Sequence, residues 1–213
     1  MNMLKKYDLF IFDWDNTLVK TSFLINATHL FKRRYSSNYK YRQQATKDAT
    51  LPTNLQVMEK QKESQLFSLF YDLYIKVQKP QLKPHTVELL KFLKHENKRI
   101  AVFSDGKTYR IFKELRLFDL YNYFDIVLGA DLINNYKPNP AGINYILKKF
   151  KMDKARSIYI GDMFVDITMA KLAGIASCAI SNGLDTPNKL KKANPDYMFT
   201  SLGELLNELK KEK

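Results

Sequence analysis

Short apolar runs of three to five residues alternate with longer amphipathic stretches along most of the chain. The runs Leu9 to Phe12, Arg99 to Phe103, Asp125 to Leu128, Ser157 to Ile160, Ala176 to Ile180 and Tyr197 to Phe199 read as strands. Continuous apolarity, without in–out alternation, is the mark of strands covered on both faces. Between them, Thr86 to His95, Tyr109 to Leu117, Ala141 to Phe150, Val165 to Ala173 and Leu202 to Leu209 have the spacing of helices with one apolar face. Strands alternating with helices predict βαβ units with right-handed crossovers, that is, an α/β fold with a doubly wound parallel sheet. One stretch breaks the rhythm. From Ser22 to Lys79 no strand is predicted, but Phe23, Ala27, Leu30 and Phe31 mark one helical face, and Leu66, Leu69, Phe70, Leu73, Tyr74 and Val77 mark another. The pattern therefore predicts a core built from 1–19 and 84–213, interrupted by a small all-helical insert over 20–83.

Composition narrows the picture. With 45% apolar and 13% aromatic residues in 213, the chain can bury a full core. No stretch approaches the roughly 20 apolar residues of a membrane span, and the apolar run near the start is too short for a signal peptide. Cys178 is the only cysteine, which excludes an intrachain disulfide and fits a reducing, cytoplasmic setting. A formal charge of +13 raises the question of nucleic acid. The lysines are scattered, however, and nucleic-acid binding needs a clustered patch. A small anionic ligand such as a phosphate ester suits the same field. The insert is basic, with Lys32, Arg33, Arg34, Lys40, Arg42 and Lys47 set against only Asp48 in that part of it.

The chemistry gathers at the strand ends. Leu9 to Phe12 runs into Asp13-Trp14-Asp15-Asn16-Thr17, at the C-terminal end of a strand, where open α/β sheets bind ligands. By itself this stretch reads equally well as an Asx-type turn. Phe103 is followed by Ser104-Asp105-Gly106, whose hydroxyl and backbone N–H groups suit an oxyanion or simply a helix cap. Gly106-Lys107-Thr108 is no P-loop, because position 101 is Ala inside a strand. Lys137 stands before Pro138-Asn139-Pro140 in a loop, where its ammonium can act as a point-charge phosphate clamp. Ile160-Gly161 leads into Asp162, with Asp166 four residues on. Carboxylates that close are costly without a cation among them, and oxygen-only ligands point to Mg²⁺.

Taken together, Asp13-Trp14-Asp15-Asn16-Thr17, Ser104, Lys137-Pro138-Asn139-Pro140 and Gly161-Asp162 through Asp166 resemble the four motifs of the haloacid dehalogenase superfamily, in order. The tail Asp166 to Gly174 and the position of the insert resemble its phosphoglycolate-phosphatase-like branch, which carries a helical cap after the first motif. The resemblance implies a Rossmann-like core and a Mg²⁺-dependent phosphatase acting on a small phosphorylated metabolite (phosphoglycolate-like, a sugar phosphate or a nucleotide monophosphate), as monomer or homodimer. It implies Asp13 as nucleophile and Asp15 as general acid–base. Lys137 is implied as a catalytic residue that also binds phosphate, with Thr17, Ser104, Asp105 and Gly106 as the other phosphate or substrate contacts. The metal would be held by Asp13, Asp15 through its carbonyl, and Asp162, with Asp166 in support. Asn16 stands where many relatives have glycine, Trp14 where many have a smaller apolar residue, and Asp105 where many have Asn. A phosphomutase of the β-phosphoglucomutase type shares all four motifs, and a basic, non-catalytic nucleic-acid-binding module is the alternative of another class.

Overall fold

A computed structural model describes residues 3–20, 73, 80–133 and 135–211. The core is a six-stranded, wholly parallel sheet. Its strands are β1 (Leu9–Phe12), β4 (Arg99–Ser104), β5 (Ile126–Gly129), β6 (Ser157–Gly161), β7 (Ala176–Ile180) and β8 (Tyr197–Phe199), in the order β5-β4-β1-β6-β7-β8. β2 (Val19–Lys20) and β3 (Gln81–Leu82) form a separate antiparallel ribbon. The helices are α1 (Met3–Lys6), α2 (Thr86–His95), α3 (Thr108–Leu117), α4 (Ala130–Ile133), α5 (Ala141–Phe150), α6 (Phe164–Ala173), α7 (Pro187–Lys192) and α8 (Leu202–Lys211). The doubly wound parallel fold expected from the hydrophobic pattern is present.

The strand order explains why the site forms where it does. From β1 the chain winds outward to β4 and β5, then crosses back to β6 on the other side of β1. That reversal makes β1 and β6 the switch point, and the crevice at their C-terminal ends is the natural binding place. Phe12 is in register with Val102 on one side and Ile160 on the other. The residues just past these positions, Asp13, Ser104 and Asp162, therefore emerge along one edge. Leu9, Phe10, Ile11 and Phe12 are completely buried, as continuous apolar runs in a central strand should be.

Most predicted elements match within a residue or two. The unpredicted ones are short. β2 and β3 pair Val19 with Leu82 and Lys20 with Gln81, so two residues on each side join across some sixty in sequence, and no local periodicity can announce them. α7 carries a local signal, since Thr186 accepts a hydrogen bond from Lys189 N–H and Pro187 follows it in the first helical turn. Its single buried apolar residue, Leu190, leaves no periodic face to read. The ribbon brackets the two ends of the 21–79 segment. Most of the insert expected as a helical cap over 20–83, with Arg33, Arg34 and Arg42 among its basic residues, lies outside the described residues. None of the described helices is long and apolar enough to cross a membrane.

Candidate active site

Asp13 leaves β1 with its N–H still bonded to Ile160 C=O, at 2.8 Å, so the sheet ladder fixes its backbone. The chain then turns tightly: Leu18 N–H and Val19 N–H both reach Trp14 C=O at 3.1 Å, and Asn16 N–H reaches Val19 C=O at 2.7 Å. Asn16 sits at φ 61°, in the left-handed region that only Gly and, less readily, Asn and Asp enter at low cost. The turn therefore accepts Asn at this position for the reason it would accept glycine.

Three carboxylates and one ammonium meet in the crevice. Oxygens of Asp13, Asp162 and Asp166 lie within 4.8 Å of one another, and all three residues are buried. Lys137 Nζ is 2.5 Å from Asp13 Oδ1 and 2.7 Å from Asp166 Oδ1. The second approach lacks hydrogen-bond geometry, so Asp166 Oδ1 has an ion-pair partner but no donor aimed at it. Its other oxygen accepts from Met163 N–H at 2.9 Å and so caps the start of α6. Asp162 accepts from Thr17 Oγ1 at 2.9 Å and from Leu184 N–H at 2.6 Å. Gly183 permits that approach, since a Cβ there would sit 2.3 Å from Asp162 Oδ2.

Electrostatics follow from burial. Desolvation pushes Asp13 well above the usual carboxylate range, against the pull of Lys137 and with the repulsion of Asp166, Asp162 and Asp15. Burial raises Asp162 to about 7, and Asp166 adds to the shift. Burial by itself would depress Lys137, but Asp13 and Asp166 outweigh it and keep the ammonium charged. Three carboxylates facing one lysine leave two negative charges uncompensated when all are ionised. A divalent cation with oxygen ligands is the species that balances them.

This arrangement has a measurable consequence. An aspartate bound more tightly to its proton in the folded than in the unfolded state loses stability as pH rises. For Asp162 the loss runs from about pH 4, the ordinary Asp value, to about 7. In chelator, the stability gained by Asp162→Asn over wild type should therefore grow between about pH 5 and pH 7.5. Chemical denaturation of both proteins at the two pH values measures it. A gain that is constant or shrinks with pH would contradict the burial argument.

The remaining expected residues lie around the cluster. Asp15 is held by Arg110, whose Nη1 donates to Oδ1 at 2.8 Å and whose Nη2 donates to Oδ2. Ser104 Oγ donates to Asp15 Oδ2 at 3.3 Å and accepts from Gly106 N–H at 3.1 Å. Thr17, expected at the phosphate, is buried and donates to Asp162. Asp105 accepts from the backbone N–H of Lys137 at 2.9 Å. Its carboxylate thus ties the lysine's loop to the β4 end, which gives the added charge a partner. Sequence reasoning missed Arg110, Glu114 and Tyr159. Tyr159 donates its hydroxyl to Phe103 C=O at 2.7 Å and lies under Lys137, with Nζ 5.4 Å from the ring centroid. The Arg110 and Glu114 signal was present as an i, i+4 charge pair on a helix, but such pairs are ordinarily solvent-facing.

A sequence model of the haloacid dehalogenase-like hydrolases matches residues 10–180. The chain belongs to this family. Among relatives of this haloacid dehalogenase-like hydrolase, pyrophosphatase PpaX of Halalkalibacterium halodurans is 24% identical over 207 residues, covering 92% of this chain and 94% of that protein. The phosphoglycolate phosphatase of Vibrio parahaemolyticus is 31% identical over 140 residues, 65% of this chain and 61% of that one. Among solved structures, a haloacid dehalogenase-superfamily hydrolase from Ehrlichia chaffeensis superposes with a TM-score of 0.63 at 21% identity, covering 100% of this chain and 98% of that chain. At that identity the superposition speaks for the fold.

Proposed function

We propose that this haloacid dehalogenase-like phosphatase cleaves a small phosphorylated metabolite through an aspartyl-phosphate on Asp13, with Mg²⁺ as cofactor. The observation that carries the reading is the buried Asp13, bridged by Lys137 to Asp166 and two residues ahead of a second carboxylate, Asp15. An Asp13 oxygen attacks phosphorus, the bond from phosphorus to the leaving oxygen breaks, and Asp15 supplies that oxygen with a proton. Asp15 then takes a proton from the water that attacks the aspartyl-phosphate, releasing phosphate and regenerating Asp13. Lys137 holds the transferring oxygens and offsets the charge of Asp13 until the acyl phosphate forms. The donor set fits a hard dication: Asp13, Asp162 and Asp166 offer oxygens, and one of these, Asp166 Oδ1, has no donor aimed at it. With the Asp15 carbonyl these oxygens would hold Mg²⁺, which would supply neutralisation of charge on the phosphoryl group. Thr17 and Leu184 N–H orient Asp162 for that task.

The names of the relatives favour substrates from pyrophosphate to phosphoglycolate. The basic insert residues Arg33, Arg34 and Arg42 are our candidates for contacts to a second anionic group, in a cap spanning 20–83. The test is a screen of phosphate release from phosphorylated metabolites and pyrophosphate, with Mg²⁺ and with chelator. We expect metal-dependent release from at least one compound. Interconversion of hexose phosphates without net phosphate release would favour the phosphomutase instead, and no turnover of any kind would overturn both.

A further inference from the structure

Arg110 is an oddly placed cation. It is the third residue of α3, where the positive end of the helix dipole disfavours it. It is also only 5% exposed, and a guanidinium is costly to bury unless paired. The structure surrounds it with acceptors. On one side both of its Nη atoms reach the two oxygens of Asp15. On the other, Nη1 lies 3.2 Å and 3.3 Å from the oxygens of Glu114, which is 1% exposed. Glu114 is anchored in turn by the indole N–H of Trp14, a wholly buried side chain packed edge-on against Phe124. Space for the guanidinium is reserved as well. A Cβ on Gly106 would lie 2.3 Å from Arg110 Nη2 and 3.3 Å from Asp15 Oδ2. Gly106 has no positive φ, so its missing side chain answers to this approach rather than to backbone conformation.

We infer that Arg110 is a positioning residue for the reaction: braced by Glu114 and Trp14 and admitted by Gly106, it holds the Asp15 carboxylate at the angle from which it exchanges protons with the leaving oxygen and with water. This rests on the phosphatase reading above and adds to it a group that touches no substrate. A two-point guanidinium–carboxylate contact fixes both the position and the plane of the carboxylate, and Ser104 adds a third bond on the Oδ2 side. Misplacing a proton-transfer group by about 1 Å is enough to lose on the order of 10²-fold in rate. A lysine supplies the charge at this place but not the fork.

The test separates positioning from support of the fold by leaving group. The p-nitrophenolate ion departs without a proton, whereas the alkoxide of benzyl phosphate needs one. We compare kcat/KM for p-nitrophenyl phosphate and benzyl phosphate in wild type, Arg110→Lys and the paired Arg110→Met/Glu114→Gln. The paired variant removes both buried charges together. Arg110→Lys keeps both charges and loses only the two-point contact to Asp15. We expect kcat/KM for benzyl phosphate to fall about 30-fold or more, within the range of general acid catalysis, and that for p-nitrophenyl phosphate to fall about threefold or less. Equal falls on both substrates, or no fall on either, would overturn the role of Arg110 while leaving the phosphatase reading standing. A wild-type protein that releases phosphate from neither would overturn both.

Discussion

Asp13→Asn is expected to reduce phosphate release from p-nitrophenyl phosphate by about 10³-fold or more, because it removes the oxygen that we propose attacks phosphorus. The same change should leave the folded state at least as stable as wild type in chelator. Asp13 is buried among Asp162, Asp166 and Lys137, and desolvation already opposes its charge. Removing that charge relieves repulsion, and Lys137 keeps Asp166 as its partner. The pair of outcomes is diagnostic, since a residue kept for the fold loses stability when replaced, and one kept for chemistry need not. A colorimetric rate assay and a thermal melt on one preparation measure both. Wild-type turnover in the variant would remove Asp13 from the mechanism.

Lys137→Met acts in the opposite sense on stability. Its ammonium pairs with both Asp13 and Asp166. Without it, three close, buried carboxylates lose their compensation, and breaking a buried pair of this kind costs about 3–5 kcal/mol. The loss should be greatest at about pH 8, above the value to which burial lifts Asp162. Activity should fall by at least about 10²-fold, the scale for losing one preorganised charge at a transferring group. Added Mg²⁺ should return much of the stability and little of the activity, since a dication binding only the folded site stabilises it by mass action. Denaturation curves with and without Mg²⁺ at that pH provide the check. A variant as stable as wild type in chelator would mean that the carboxylates do not depend on Lys137 for compensation.

Much of this molecule is legible in its sequence. The apolar runs gave the parallel sheet because a strand covered on both faces tolerates few polar residues, and Leu9 to Phe12 is buried throughout. Asp13, Asp15, Lys137 and Asp162 stood out because each follows a strand or sits in a loop, and Ser104 and Asp166 because one closes β4 and the other lies in the first turn of α6; at such ends a charged or hydroxyl side chain owes little to the core. Arg110 and Glu114 did not stand out. Four residues apart on an amphipathic helix, they have the spacing of a solvent-facing pair, and only the packing of α3 against the β1 turn shows them turned inward onto Asp15 and Trp14. The β2–β3 ribbon was hidden for the same kind of reason, because its bonds join residues far apart in sequence.

The sequence by itself determined the family, the alternation of strands and helices, and which side chains have the chemistry to act on a phosphate. Hydrophobic period and motif order are local properties, and they survive without knowledge of what touches what. Only the tertiary structure decided how those side chains divide their partners. Thr17 serves Asp162, Asp105 serves the backbone of Lys137, and Arg110 serves Asp15. Such allocations depend on distances set by the side-by-side pairing of β4, β1 and β6 at the switch point, and no spacing along the chain encodes them.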